Sequence, residues 1–240
     1  NDNPSKNIIF LAVGFETTIP TIAISIVLAK KQKINNLFFF SSLKLIPPVM
    51  EHLLRDERVK VDGFLCPGHV SVVTGEQAYK FIPRRYKIPC CIAGFEPLDI
   101  LEGIYFIVEQ IAKDSAVVQN QYTRVVSASG NAQARKLISQ VFMPADADWR
   151  GLGRVPLSGL KARKQYCDFD AEEQLPLKEG YLNQRLGRVY DKCRCGDVLK
   201  GLINPSDCSL FAKVCTTINP IGQCMISNEG ACNAYYRYKK

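Results

Sequence analysis

The stretch Asn7-Ile8-Ile9-Phe10-Leu11-Ala12-Val13-Gly14 decides the fold class. Its continuous apolar run is short, and it stops at a glycine. That is the pattern of a strand buried on both faces of a parallel sheet. A helix-competent segment follows over residues 18–31, with Thr17 or Thr18 as its cap and Pro20 near the first turn. Downstream the same order repeats. Residues 36–40 read as strand and 47–55 as helix; 62–66 as strand and 75–81 as helix; 88–93 as strand and 97–113 as a long amphipathic helix. Four strand-then-helix units predict an α/β layered domain with a parallel sheet over residues 1–119. In such a sheet every strand-to-helix loop leaves at the carboxyl edge, where ligands bind. Those loops are residues 14–18, 41–44, 66–71 and 94–97.

Beyond this domain the pattern loosens. Residues 120–185 read as a connecting segment, with a strand at 122–126, a helix at 131–141 and a turn-rich link at 149–156. Residues 186–240 form a third, cysteine-rich region, holding Cys193, Cys195, Cys208, Cys215, Cys224 and Cys232, six of the chain's ten cysteines. Such density has three ordinary sources: a disulfide framework, structural zinc, or an iron–sulfur cluster. Disulfides suit small secreted domains. Zinc usually comes with paired C-x-x-C knuckles or histidine partners, and both histidines of this chain lie far upstream. An all-thiolate set with longer gaps, cushioned by Pro, Gly and aromatic residues, favours a cubane cluster, whose irons take four Cys ligands.

Composition narrows the function classes. At 240 residues and 47% apolar content, the chain can bury a sizeable core. No apolar run reaches the length of a membrane span, and no leader-like order opens the sequence. The net charge of +8 is spread over separate short clusters, such as Arg84-Arg85 and Lys239-Lys240. Without aromatic interleaving these read as solvated faces, so no nucleic-acid partner is expected. Neither the dinucleotide fingerprint nor the Walker pattern occurs.

Several residues on the expected rim carry chemistry. His69 follows a strand in Cys66-Pro67-Gly68-His69, where it could bind a ligand or transfer a proton near neutral pH. Glu16 and Glu96 close two copies of Gly-Phe-Glu, each at a strand end. These carboxylates either orient a ligand or cap helices, and Thr17 and Thr18 have the same two readings. Cys66 ends a strand in the same rim, whereas Cys90, Cys91 and Cys167 read as core. His52, on an amphipathic helix, reads as a surface or core-edge residue.

The blocks Cys193-x-Cys195-Gly196-Asp197-Val198-Leu199, Asp207-Cys208-x-Leu210-Phe211, Pro220-x-Gly222-x-Cys224-Met225 and Glu229-Gly230-Ala231-Cys232 resemble the C-terminal region of the HypD family. The likeness continues upstream through Gly14-Phe15-Glu16-Thr17-Thr18, Pro67-Gly68-His69-Val70-Ser71 and Gly94-Phe95-Glu96-Pro97. It departs at Thr217, where the family usually has Pro, and at Gln223, where a small residue is commoner. The family's earlier stretch, with a Cys-Gly-Gly-His-Thr-type motif and a Gly-Pro-Gly-Cys-Pro-x-Cys loop, has no counterpart here, so a chain lacking its first part is expected.

The resemblance implies a cytoplasmic scaffold for nickel–iron hydrogenase maturation, with a redox role rather than conventional enzymatic turnover. It implies a [4Fe-4S] cluster, for which Cys208, Cys215, Cys224 and Cys232 are the expected ligands and Cys193 and Cys195 the alternates. Glu16, Thr17, Thr18, His69 and Glu96 would shape the cleft for an iron ion carrying two cyanides and one carbon monoxide. Implied partners are a small HypC-type chaperone, the HypE–HypF cyanide-delivery pair and, indirectly, the hydrogenase large subunit. Since the family's iron-anchoring cysteine belongs to the motif without a counterpart, this chain is expected to hold the cluster but not the assembling iron. Residues 120–185 would pack against that earlier part and otherwise leave apolar surface unpaired. Two rivals stay open: a stand-alone iron–sulfur oxidoreductase and a zinc-stabilised binding module.

Overall fold

The structure is a computed structural model that describes residue 3, residues 5–176 and residues 192–239. The described residues divide into two compact units. One is drawn from residues 1–52, 61–147 and 156–177, the other from 53–60, 148–155 and 178–240.

The first unit is the α/β layer that the strand–helix alternation predicts. Strand β1 (Ile8–Gly14) crosses through α1 (Ile19–Lys31) to β2 (Leu37–Leu43), which pairs with it in parallel from Ile8↔Leu37 to Gly14↔Leu43. Helix α1 buries Ile19, Ile22, Ala23, Ile26 and Ala29, a stripe at helical spacing, against Phe39, Leu43, Val141, Phe142 and Tyr166. Each fully buried isoleucine contributes about 1.5–3 kcal/mol. After α2 (Ile46–Leu54), β3 (Phe64–Pro67), β4 (Cys90–Ala93) and β5 (Val118–Asn120) form a second parallel sheet in that order. Its connections run through α3 (Gly68–Thr74), a 3-10 turn at Glu76–Tyr79 and α4 (Phe81–Tyr86), then through α5 (Pro97–Ala112).

The strands therefore belong to two parallel sheets rather than one. The edge of β2 away from β1 is occupied within the strand and just beyond it. Phe39 bridges to Asp170, Lys44 bridges to Gly159, and the Leu45 N–H donates to the Ser158 carbonyl. With that edge taken, β3 has no place beside β2. Helix α6 (Ala132–Val141) starts at Asn131, whose side chain accepts the Ala134 N–H. It leads to the paired strands β6 (Phe142–Trp149) and β7 (Gly153–Ala162). Helix α7 (Ala171–Gln174) follows a 3-10 turn at Lys164–Phe169.

Five local expectations need correcting. The run from Ile8 to Val13 is not covered on both faces, since of its six residues only Ala12 is buried. Leu11 and Val13 are each 66% exposed. The strand expected at residues 122–126 is a turn, closed by Val125 and Val126 N–H bonds to the Tyr122 carbonyl, and the strand lies upstream as β5. The loop expected at 66–71 is mostly helix α3, and β2 runs on through the loop expected at 41–44. Cys167 is half-buried in a 3-10 turn rather than in the core, whereas Cys90 and Cys91 are fully buried in β4.

Among the described residues of the second unit, the helices are α8 (Cys195–Leu199), α9 (Gln223–Ile226) and α10 (Ala231–Tyr238). A capping box closes the 3-10 turn at Pro205–Asp207, where the Asp207 carboxylate accepts the Asn204 N–H. Asp56 accepts from Lys200 Nζ at 2.8 Å and pairs with Arg58, tying residues 53–60 to the end of α8. Among the described residues no helix is long and apolar enough to cross a membrane.

Candidate functional site

Two places gather the chemistry, one in each unit. In the first, the turn after β1 is compressed: a Cβ on Gly14 would sit 2.1 Å from Thr18 Oγ1. Thr18 occupies the N-cap position of α1, but its hydroxyl donates to the Phe15 carbonyl at 3.1 Å and makes no cap bond. Thr17 is exposed beside it. Glu16 turns inward, and its Oε1 accepts the Ile46 N–H, the first of α2, at 2.8 Å. Its Oε2 is buried with no hydrogen-bond partner among the described residues. Burial pushes the Glu16 carboxyl up to about 7 from 4.5, against the pull of backbone N–H bonds from Glu16 and Ile46. The Glu16 charge reaches Tyr79, whose hydroxyl accepts from Ser71 Oγ at 3.1 Å.

At the second sheet, β3 passes straight into α3, placing His69 in its first turn, exposed and stacked on Phe95 with centroids 4.2 Å apart. Glu96 is the N-cap of α5 by position, makes no side-chain cap bond and has a side chain 79% exposed. Next to it stands a group that sequence reasoning missed. Asp99, buried in the first turn of α5, accepts from both terminal nitrogens of Arg124, at 2.9 and 2.5 Å, and from Gln121 Nε2 at 2.8 Å. The Arg124 hydrogen bonds hold the Asp99 carboxyl down at about 2, outweighing the opposing effect of burial. Arg124 also lies over the Tyr122 ring, 4.5 Å from its centroid.

Two glycines make room for that ring. A Cβ on Gly68 would fall 2.9 Å from Tyr122 and 2.4 Å from the Ala93 carbonyl; one on Gly94 would fall 2.9 Å from Tyr122 and 2.0 Å from Asp99 Oδ2. In the sequence Tyr122 and Arg124 fall inside the strand expected at residues 122–126, which hides them as site residues. Cys66 is no part of this surface. It is buried beside Cys90, and that thiol contact together with burial raises it well above the ordinary thiol range. His52 is partly buried on α2.

In the second unit the six C-terminal cysteines converge. Cys195, Cys215, Cys224 and Cys232 are buried in one apolar cluster with Leu210 and Met225, and Cys193 and Cys208 pack against it. Cys193, Cys195, Cys208, Cys215 and Cys232 line one pocket, and Gly222 forms part of its wall. A Cβ on Gly222 would lie 2.5 Å from Cys193 Sγ, so the thiol can close on the loop only because that residue is glycine. Cys224 is within thiol hydrogen-bond reach of Cys195 and Cys232. The Cys224 and Cys193 thiols draw Cys195 below the ordinary thiol range, and burial first of all pushes Cys193 above it. The Ile221 N–H donates to Cys215 Sγ at 3.3 Å.

All ten cysteines are free thiols. Among the described residues no three His, Cys, Asp or Glu side chains are grouped to hold a metal ion. Soft sulfur donors in an apolar pocket with a backbone N–H on sulfur are nevertheless the donor set that an iron–sulfur cluster takes, so the residues present fit that group. The expected ligands and both alternates share this pocket and its surround.

A family model, HypD, described as the hydrogenase formation hypA family, matches residues 1–239. The chain belongs to the HypD family. It is 42% identical over 99% of its length to the hydrogenase maturation factor HypD2 of Bradyrhizobium diazoefficiens. To the hydrogenase maturation factor HypD of Escherichia coli it is 39% identical over 100% of its length. To a putative hydrogenase expression/formation protein of Methanocaldococcus jannaschii it is 40% identical over 98%. Against these relatives this HypD-family chain spans 63%, 63% and 64% of their respective lengths.

Proposed function

We propose that this HypD-family chain serves nickel–iron hydrogenase maturation as an assembly scaffold in the cytoplasm. The scaffold's cargo would be an iron ion bearing two cyanides and one carbon monoxide, anchored by a cysteine of the family motif without a counterpart in this chain, handled with a small HypC-type chaperone and supplied with cyanide by a HypE–HypF pair. The observation that carries this reading is the gathering of six thiols in and against one apolar cluster, five of them lining its pocket, in a HypD-family chain. Cys208, Cys215, Cys224 and Cys232 would hold a [4Fe-4S] cluster, with Cys193 and Cys195 as alternates. When bound, the cluster supplies or relays electrons.

The remaining chemistry belongs to the rims. Glu16 keeps a proton near neutrality, on the buried Oε2 that lacks a partner among the described residues, while Oε1 stays fixed by the Ile46 N–H. His69, packed on Phe95, offers an exposed imidazole that can hold or pass a proton. Thr17, Thr18 and Glu96 add exposed oxygens beside them. Such groups orient polar cargo without themselves being strong ligands of a soft metal.

Anaerobic purification, with iron, sulfide and zinc counted per chain and an absorption spectrum recorded, tests the cofactor. About four irons and four sulfides with a broad visible band are expected. Stoichiometric zinc without that band overturns the cluster and favours a zinc-stabilised module. Co-purification with a HypC-type chaperone tests the scaffold role, and failure to associate would remove it.

A further inference from the structure

We propose that Arg124 forms a carboxylate-binding site on the carboxyl rim of the second sheet, with the chain's own Glu96 as the competing occupant. The site is a closed ring of contacts. His69 stacks on Phe95 at 4.2 Å; Glu96, next in sequence, has Oε2 4.0 Å from an Arg124 terminal nitrogen; Arg124 lies 4.5 Å from the Tyr122 centroid. Tyr122 in turn rests on Gly68, which adjoins His69.

Within this ring the guanidinium is fixed but not used up. Asp99, buried at its back, engages one N–H on each terminal nitrogen. A guanidinium has five N–H donors, so a two-donor edge including Nε remains, and that edge matches a carboxylate. Among the described residues nothing else is hydrogen-bonded to Arg124, and its side chain is 48% exposed. The buried carboxylate balances its charge and, with the Tyr122 ring beneath, holds the plane still, so a ligand meets a preorganised fork rather than a mobile side chain. Glu96 shows what chemistry this place attracts. Its carboxylate stands beyond hydrogen-bond distance on an exposed side chain, near enough to be drawn in and loose enough to be displaced.

The ligand is accordingly a carboxylate, carried either by a small free acid or by a protein terminus. The site concerns residues outside the thiol pocket, so its failure and the cluster's failure are separate results.

The chain has two histidines, so the His69 ring protons can be followed by NMR and assigned with His69→Gln. Acetate is titrated against chloride at equal ionic strength, beside a short peptide with a free C-terminal carboxylate and the same peptide as its amide. A saturable His69 shift is expected with acetate and with the free peptide, but not with chloride or the amide. Arg124→Gln should abolish it, and Glu96→Gln should lower the acetate midpoint several-fold by removing the competitor. A peptide about tenfold tighter than acetate assigns a protein-borne carboxylate, and equal midpoints assign a small acid. Equal shifts with chloride, no saturable shift with either carboxylate, or a Glu96→Gln midpoint unchanged or raised overturns the proposal. This last arm decides even if Arg124→Gln does not fold.

Discussion

Glu16 shows how one side chain can answer to two readings at once. Its Oε1 satisfies the first N–H of α2, the structural role that helix capping suggested, while its buried Oε2 keeps the carboxyl protonated to about 7. The folded pKa is raised, so the folded state binds the proton more tightly than the unfolded chain. Its stability contribution is full below 4.5 and lost as pH rises through about 7. The loss by pH 8 is at most about 3 kcal/mol. Glu16→Gln should flatten that slope, which urea unfolding at pH 4.5 and pH 8 measures; a slope as steep as that of the unaltered chain would count against it. Asp99 has the opposite sign. Its pKa is lowered to about 2, so its pairing with Arg124 is present above 3.8 and lost as pH falls through 2. Gly94→Ala would force a methyl to within 2.0 Å of Asp99 Oδ2. A destabilisation of about 1–3 kcal/mol is expected in thermal or urea unfolding, with loss of the Arg124 pairing.

At the scale of elements, local signals worked where they matched the packing. Asn131 was placed at the start of α6 by pattern, and it makes the cap bond to Ala134 N–H at 2.9 Å. Asn131→Ala should therefore cost about 1 kcal/mol of stability in denaturant unfolding. The same signals failed at residues 122–126. Val125 and Val126 favour a strand, but the Asn120 amide donates to the Val126 carbonyl and to Glu76, which folds the backbone into a turn. Strand β1 carries a different consequence. Ile8, Ile9, Phe10, Leu11 and Val13 are all exposed among the described residues. An apolar strand with an unpaired edge self-associates. The 240-residue chain should show concentration-dependent association by light scattering, and Leu11→Lys with Val13→Lys should reduce it without lowering the thermal midpoint. Undiminished association in that double variant would place the sticky surface elsewhere, with the exposed Leu98, Leu101 and Val108 of α5 as the next candidates.

For the molecule as a whole, the sequence by itself determined the class of fold, the place of most strands and helices, and the concentration of thiols at the C-terminal end. Apolar periodicity and cap residues act over a few positions, so they can be read without knowing what packs where. It also pointed to His69, Glu16 and Glu96 as strand-end residues, because a parallel sheet sends all such ends to one edge. Tertiary structure alone decided that the parallel strands β1 to β5 form two sheets, since the edge of β2 is taken by residues more than a hundred positions later in the chain. It alone brought Arg124 onto Asp99, laid Tyr122 on Gly68 and Gly94, and left Glu16 buried while Glu96 stayed exposed, although both close the same Gly-Phe-Glu triplet. These are contacts between distant segments, fixed by which surfaces meet and how much water they exclude. A short sequence motif carries no record of either.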